Sequence, residues 1–159
     1  MKIYIIGAPG SGKTTLARKF SEEKNIPYYE LDLLVFDDED NHKRRSDEEI
    51  AKLFDRIIKS DDWIIEDVGR SKFSEAYDFC DEIYYLKFTR LQILKRIFRR
   101  WKNQRKGIES YNYPPTIGQL IDFIKVANSY FKKENAKLQL LKKYGGKVKY
   151  LSLKELEKM

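Results

Sequence analysis

The sequence predicts an α/β fold assembled from parallel βαβ units. Three observations carry that expectation. Short apolar runs alternate with longer amphipathic segments, each run is separated from the next by enough chain for a crossover, and a glycine-rich turn sits between the first run and the first amphipathic segment.

Taken in order, the strands are KIYII (2–6), PYYEL (27–31), WIIED (63–67), EIYYLKF (82–88) and KVKYLS (147–152). The helices are expected at 13–24, 47–59, 90–105, about 116–143 and 152–158. Ser46 followed three residues later by Glu49 is the pattern of a capping box and marks the second helix start. Two stretches read as loops: FDDEDNHKRR (36–45), which runs from acidic to basic, and KGIESYNYPPT (106–116), with its glycine and Pro-Pro pair. Both are candidate lids, the second together with the basic helix before it, about 95–116. No internal repeat or composition break divides the chain, so 1–159 is expected to form a single domain.

At 159 residues, 42 % hydrophobic and 14 % aromatic, the chain can bury one substantial core. The first apolar run is too short for a signal sequence or a membrane span, and the expected location is the cytosol. A single cysteine, Cys80, excludes an internal disulfide and is expected in the core. One histidine, His42, leaves no zinc-ligand set. The net charge of +7 is local: residues 87–106 hold nine Lys/Arg and no acid, leaving 23 bases against 25 acids elsewhere.

Residues 7–14, GAPGSGKT, satisfy G-x-x-x-x-G-K-[ST] between a strand and a helix. In that context the loop curls around phosphate while the first helical amides point at it. The candidate nucleotide-binding set is Gly7, Ala8, Pro9, Gly10, Ser11, Gly12, Lys13, Thr14 and Thr15. Lys13 is expected on the β and γ phosphates and the Thr14 hydroxyl on Mg²⁺. No Asn-Lys-x-Asp base-reading element occurs, which disfavours a guanine-specific GTPase. AAA-type and motor ATPases usually need a lid or relay domain for which little chain remains, whereas a small kinase fits the length.

With GAPGSGKTT, the LDLL sequence closing the second strand, the WIIE third strand and the RIFRR helix, the chain resembles small P-loop kinases of the adenylate kinase-like group. Within that group it looks closest to the topology modulation proteins, and the likeness runs from Met1 to the terminal KVKYLSLKELEKM. The resemblance implies a P-loop NTPase three-layer sandwich, a five-stranded parallel sheet in order 2-3-1-4-5 with helices on both faces. It also implies an ATP site and a mobile lid; ATP rather than GTP rests on it alone. The D-G-x-P-R stretch usual in nucleoside monophosphate kinases is replaced by Glu66-Asp67-Val68-Gly69-Arg70, so AMP is not assigned as acceptor.

On the acceptor side, Asp32 closes the second strand at the edge where open α/β sheets place ligands, and in similar kinases an aspartate there receives the acceptor hydroxyl. Asp67 ends an apolar strand as a metal-holding carboxylate would, with Glu66 its rival. Arg70 is a candidate clamp for an acceptor phosphate or carboxylate. In the basic helix, Leu94, Ile97, Phe98 and Trp101 are spaced as a core face, and Arg96, Arg99 and Arg100 are candidate lid cations for developing charge. A nucleic-acid-binding ATPase using 87–106 is the competing reading, disfavoured because no aromatic-basic interleaving accompanies the charge. The acidic run Asp37-Asp38-Glu39-Asp40 reads as a solvated loop; Arg44 and Arg45 flank the first candidate lid, and Tyr111 and Tyr113 read as anchors of the second.

Overall fold

The run Lys2–Gly7 forms the central strand β1, buried from Ile3 onward, because an apolar stretch without alternation fits a strand covered on both faces. The computed structural model describes residues 1–37, 43–110 and 114–159. β1 pairs in parallel with β5 (Trp63–Asp67) on one side and β6 (Glu82–Leu86) on the other. β2 (Tyr28–Glu30) and β7 (Val148–Leu151) complete the sheet in the order β2-β5-β1-β6-β7. Counted along the chain, those five strands lie in the order 2-3-1-4-5 that the resemblance implied.

Alternate residues of each strand feed opposite cores, as the two-residue period of a strand requires. Tyr4, Ile6, Trp63, Ile65, Ile83 and Tyr85 pack with Ile50, Phe54 and Ile58 of α3 (Asp47–Lys59) and with Leu141 of α7 (Glu134–Leu141). Ile3, Ile5, Ile64, Tyr84 and Leu86 pack with Leu16, Ala17 and Phe20 of α1 (Lys13–Lys24), Ile93 and Ile97 of α5 (Arg90–Arg105), and Ala127 of α6 (Ile117–Lys132). The result is a three-layer sandwich with the sheet in the middle. Cys80 is buried, as expected.

The helices expected at 13–24, 47–59 and 90–105 keep those bounds, and Ser46 and Glu49 make their capping box. Elsewhere the structure differs. The helix expected over 116–143 breaks at Lys133, whose φ of −102° and ψ of 1° leave the helical well, so α6 stays with α5 while α7 turns onto the other core. Short elements with too few residues to show a period were missed: α2 (Leu31–Val35), a 3₁₀ turn over Ser71–Phe73 and α4 (Ala76–Phe79). The segment 36–45 carries a two-residue antiparallel pair, β3 (Phe36–Asp37) with β4 (Lys43–Arg44), and is not a plain loop. Asp38, Glu39, Asp40, His42, Tyr111 and Tyr113 lie outside the described residues. The terminal helix, α8, covers Leu153–Leu156.

The core face of α5 also needs correction. Ile93 and Ile97 are buried with Gln104, whereas Phe98 is 53 % exposed and Leu94 and Trp101 are only half-buried. Ile97 is the residue the expected and observed stripes share, and Trp101 donates its indole N–H to the Thr116 carbonyl at 3.0 Å.

Candidate active site

β1 delivers the chain to the loop at Gly7, and α1 starts immediately after Gly12. Gly12 has a φ of +98°, a left-handed conformation open to glycine and strained for a residue with a Cβ. No side chain caps α1, so the amides of its first turn have no local acceptor. The Ser11 hydroxyl is buried at the turn without a hydrogen-bond partner. An uncapped helix start behind a glycine-rich turn fits a bound phosphate chain, whose oxygens accept from the helix amides.

The first helical residues face β5. The Thr14 hydroxyl donates to Glu66 Oε1 at 2.7 Å, and Lys13 Nζ lies 3.5 Å from Glu66 Oε2 and donates to the Ala8 carbonyl at 3.4 Å. Lys13 and Glu66 are 8 % and 6 % exposed, so this is a buried ion pair. Of the two acids ending β5, Glu66 therefore meets the loop. Asp67 points to the opposite core, where the Arg70 backbone N–H donates to Oδ2 at 2.6 Å and the guanidinium to Oδ1 at 2.5 Å. Burial raises the Asp67 carboxyl above its ordinary value even though Arg70 opposes the shift.

Arg70 also pairs with Asp32, joining Asp32, Arg70 and Asp67 in one cluster at the carboxyl edge of the sheet. Asp32 sits in the first turn of α2, one residue past the strand end expected for it, and stays exposed. Burial works against the Arg70 cation, but Asp67 and Asp32 outweigh it and raise its pKa.

The three arginines of α5 separate. Arg96 donates its Nε–H to the Gly10 carbonyl at 2.9 Å and lies over the Phe88 ring, 5.4 Å from its centroid. Burial, with Arg99 nearby, lowers its pKa. Arg99 and Arg100 are exposed, about 4.5–6 Å farther along the helix axis. Of the three candidate lid cations, Arg96 is the one whose hydrogen bond reaches the loop. Arg44 instead pairs with Asp47 at 2.5 Å, and Arg45 pairs with Asp37 at 3.0 Å and donates to backbone carbonyls of the α2–β3 segment.

Two features have no counterpart in the sequence reading. A cavity of about 210 Å³ opens beside the loop, walled by Gly12, Thr15, Leu16, Arg96, Leu153 and Leu156. Lys137 on α7 reaches the edge of the sheet beside Gly69. The only signal for it was a lysine in the apolar row of a helix whose phase depends on the break at Lys133.

A family model described as an AAA domain matches residues 3–112. Among solved structures, a shikimate kinase from Bacteroides thetaiotaomicron aligns over 94 % of this chain and 84 % of its own, at 19 % identity and a TM-score of 0.53, which shows a shared fold. A gluconokinase from Sinorhizobium meliloti 1021 aligns over 87 % of this chain and 96 % of its own, at 16 % identity and a TM-score of 0.47. No curated protein matches the chain. Among the described residues no helix is long and apolar enough to cross a membrane.

Proposed function

The chain belongs to the AAA-domain family matched over residues 3–112, and from that premise we propose that it is an ATP- and Mg²⁺-dependent kinase of a small acceptor, with a nucleoside or nucleotide as the leading class. The family description belongs to the P-loop core. The described residues beyond it add β7 to the same sheet. The resemblance to topology modulation proteins read from the sequence is part of this proposal and names no acceptor.

The observation that carries the proposal is the pairing of two constellations across the end of the sheet: Lys13, Thr14 and Glu66 at the phosphate loop, and Asp32, Arg70 and Asp67 on the acceptor side. A nucleotide-binding protein needs the first; a phosphotransferase needs both. The amides of residues 10–15 and Lys13 bind the triphosphate, and the base lies in the cavity between Arg96 and Leu153–Leu156. Thr14 and Glu66 would hold Mg²⁺, which supplies charge neutralisation to the phosphates. Asp32 accepts the proton of the acceptor hydroxyl as its oxygen bonds to the γ-phosphorus and the bond to ADP breaks. Arg70 fixes Asp32, and Arg96 stabilises charge at the loop.

The test is ³¹P NMR of the protein with Mg-ATP and pooled nucleosides, nucleoside monophosphates and small hydroxy acids, against Lys13→Ala. A new phosphorylated product that requires Lys13 is expected. ADP and free phosphate without any product would refute the kinase reading and favour a regulatory ATPase.

A further inference from the structure

Two cations stand at the acceptor edge, and they are answered differently. The Arg70 guanidinium is taken up by Asp67 and Asp32. Lys137 arrives from the other side. The spacing of Glu134, Lys137 and Leu141 puts all three on one side of α7, and that side faces the sheet. Leu141 is buried, and Glu134 accepts a hydrogen bond from the Tyr85 hydroxyl at 2.8 Å.

The Lys137 stem crosses Gly69. A Cβ at position 69 would lie 3.2 Å from Lys137 Cδ and 3.3 Å from Cε, and the Gly69 φ of +77° disfavours a side chain there as well. Glycine between Asp67 and Arg70 thus clears the path by which the lysine reaches the site. Its Nζ ends 3.9 Å from the centroid of the Tyr130 ring, and among the described residues it has no carboxylate within ion-pair distance. Burial lowers the Lys137 pKa against the opposing pull of Asp67. A half-buried ammonium facing an aromatic ring lacks the paired, hydrogen-bonded partner that such a charge ordinarily requires.

We propose that Lys137 is the oxyanion-binding residue of the acceptor site, so that the acceptor carries a carboxylate or phosphate in addition to the hydroxyl that is phosphorylated. The inference rests on the kinase reading above and narrows its acceptor to an anion. The ammonium contributes a point charge, which suits a single oxyanion without demanding a bidentate approach. The anion-clamp role expected of Arg70 passes to Lys137.

The test has two arms. In the first, inorganic phosphate and, separately, malonate are titrated calorimetrically into protein saturated with Mg²⁺ and a non-hydrolysable ATP analogue, so that the phosphate loop is filled. Lys137→Met should weaken anion binding about tenfold to a hundredfold, the loss of one charge-assisted hydrogen bond. Lys137→Arg should retain it, and affinity for the ATP analogue should not change in either variant. In the second, ³¹P NMR compares acidic acceptors with their uncharged counterparts, sugar acids against sugar alcohols and nucleoside monophosphates against nucleosides. The acidic members should be phosphorylated preferentially, with Lys137→Met raising KM more than it lowers kcat.

Absence of anion binding by the wild-type protein, equal binding by Lys137→Met, or equal use of uncharged acceptors overturns the inference while leaving the kinase reading intact. Lys137-dependent anion binding with no phosphorylated product from any acceptor supports the oxyanion site and overturns the kinase reading.

Discussion

Replacing Glu66 by glutamine removes one charge and almost no volume at the point where β5 meets the phosphate loop. Glu66 lies 3.5 Å from Lys13 Nζ, and both side chains are almost fully buried. Two unit charges at that separation, in a medium of effective dielectric about 20, attract by about 5 kcal/mol. Desolvation of both ions offsets much of this. The glutamine oxygen still accepts from Thr14, so the expected net loss is about 2 kcal/mol, a fall in Tm of about 4–8 °C for a chain of this size. Urea titration followed by fluorescence of the buried Trp63 measures it. ATP without Mg²⁺ should shrink the deficit, because the triphosphate gives Lys13 a new counter-charge, and Mg²⁺ should then add less to ATP affinity in Glu66→Gln than in the wild type. Wild-type stability together with an unchanged Mg²⁺ enhancement would refute both the ion-pair argument and the assignment of Glu66 to the metal.

Arg96→Ala should lower kcat/KM about a hundredfold or more, as expected for loss of one positioned donor at developing charge. Arg99→Ala and Arg100→Ala should leave it nearly unchanged; salt-dependent DNA or RNA binding that collapses in those two variants, with turnover intact, would instead point to the basic helix as a nucleic-acid surface. The Cys80 thiol, pushed up to about 12 by burial, should react with an aromatic disulfide reagent only as fast as the protein unfolds, and rapid labelling of native protein at pH 8 would contradict the packing around it. Burial works against the Glu82 carboxylate, but Lys149 and the Tyr84 hydroxyl outweigh it and lower its pKa from the ordinary 4.5. Its stabilisation of the β6–β7 pairing is therefore present above pH 4.5 and lost as pH falls through the lowered value. Glu82→Gln should flatten that acid limb of stability, and an identical limb in both proteins would show that other carboxylates carry it.

The fold was legible because its signals are local. The unbroken apolar run of β1, the glycine turn and the Ser46–Glu49 box each follow from a few adjacent residues. The phosphate side of the site was legible for the same reason, since Gly7 to Thr15 are contiguous. The choice between Glu66 and Asp67 was not, because adjacent strand residues face opposite sides of a sheet and a turn phase decides which side holds the loop. Arg96 could not be told from Arg99 and Arg100, because helical spacing groups all three and only the packing of α5 beside the loop brings Arg96 to Gly10. Lys137 was hidden by a helix break at Lys133 that no glycine or proline marks.

The longer helices α3, α5 and α6 start under a side-chain cap from Ser46, Thr89 and Thr116, while α1, of 12 residues, starts on Gly12 with no side chain over it. A cap is a permanent tenant, worth about 1 kcal/mol to a helix. Leaving α1 without one keeps that place vacant for a visitor, so occupancy of the loop and the melting point of the first helix become two readings of the same equilibrium. A side chain at position 12 would strain the left-handed backbone and bring its Cβ to 3.4 Å from Arg96 Nη2, so the bare glycine is what keeps the first helix open to its visitor.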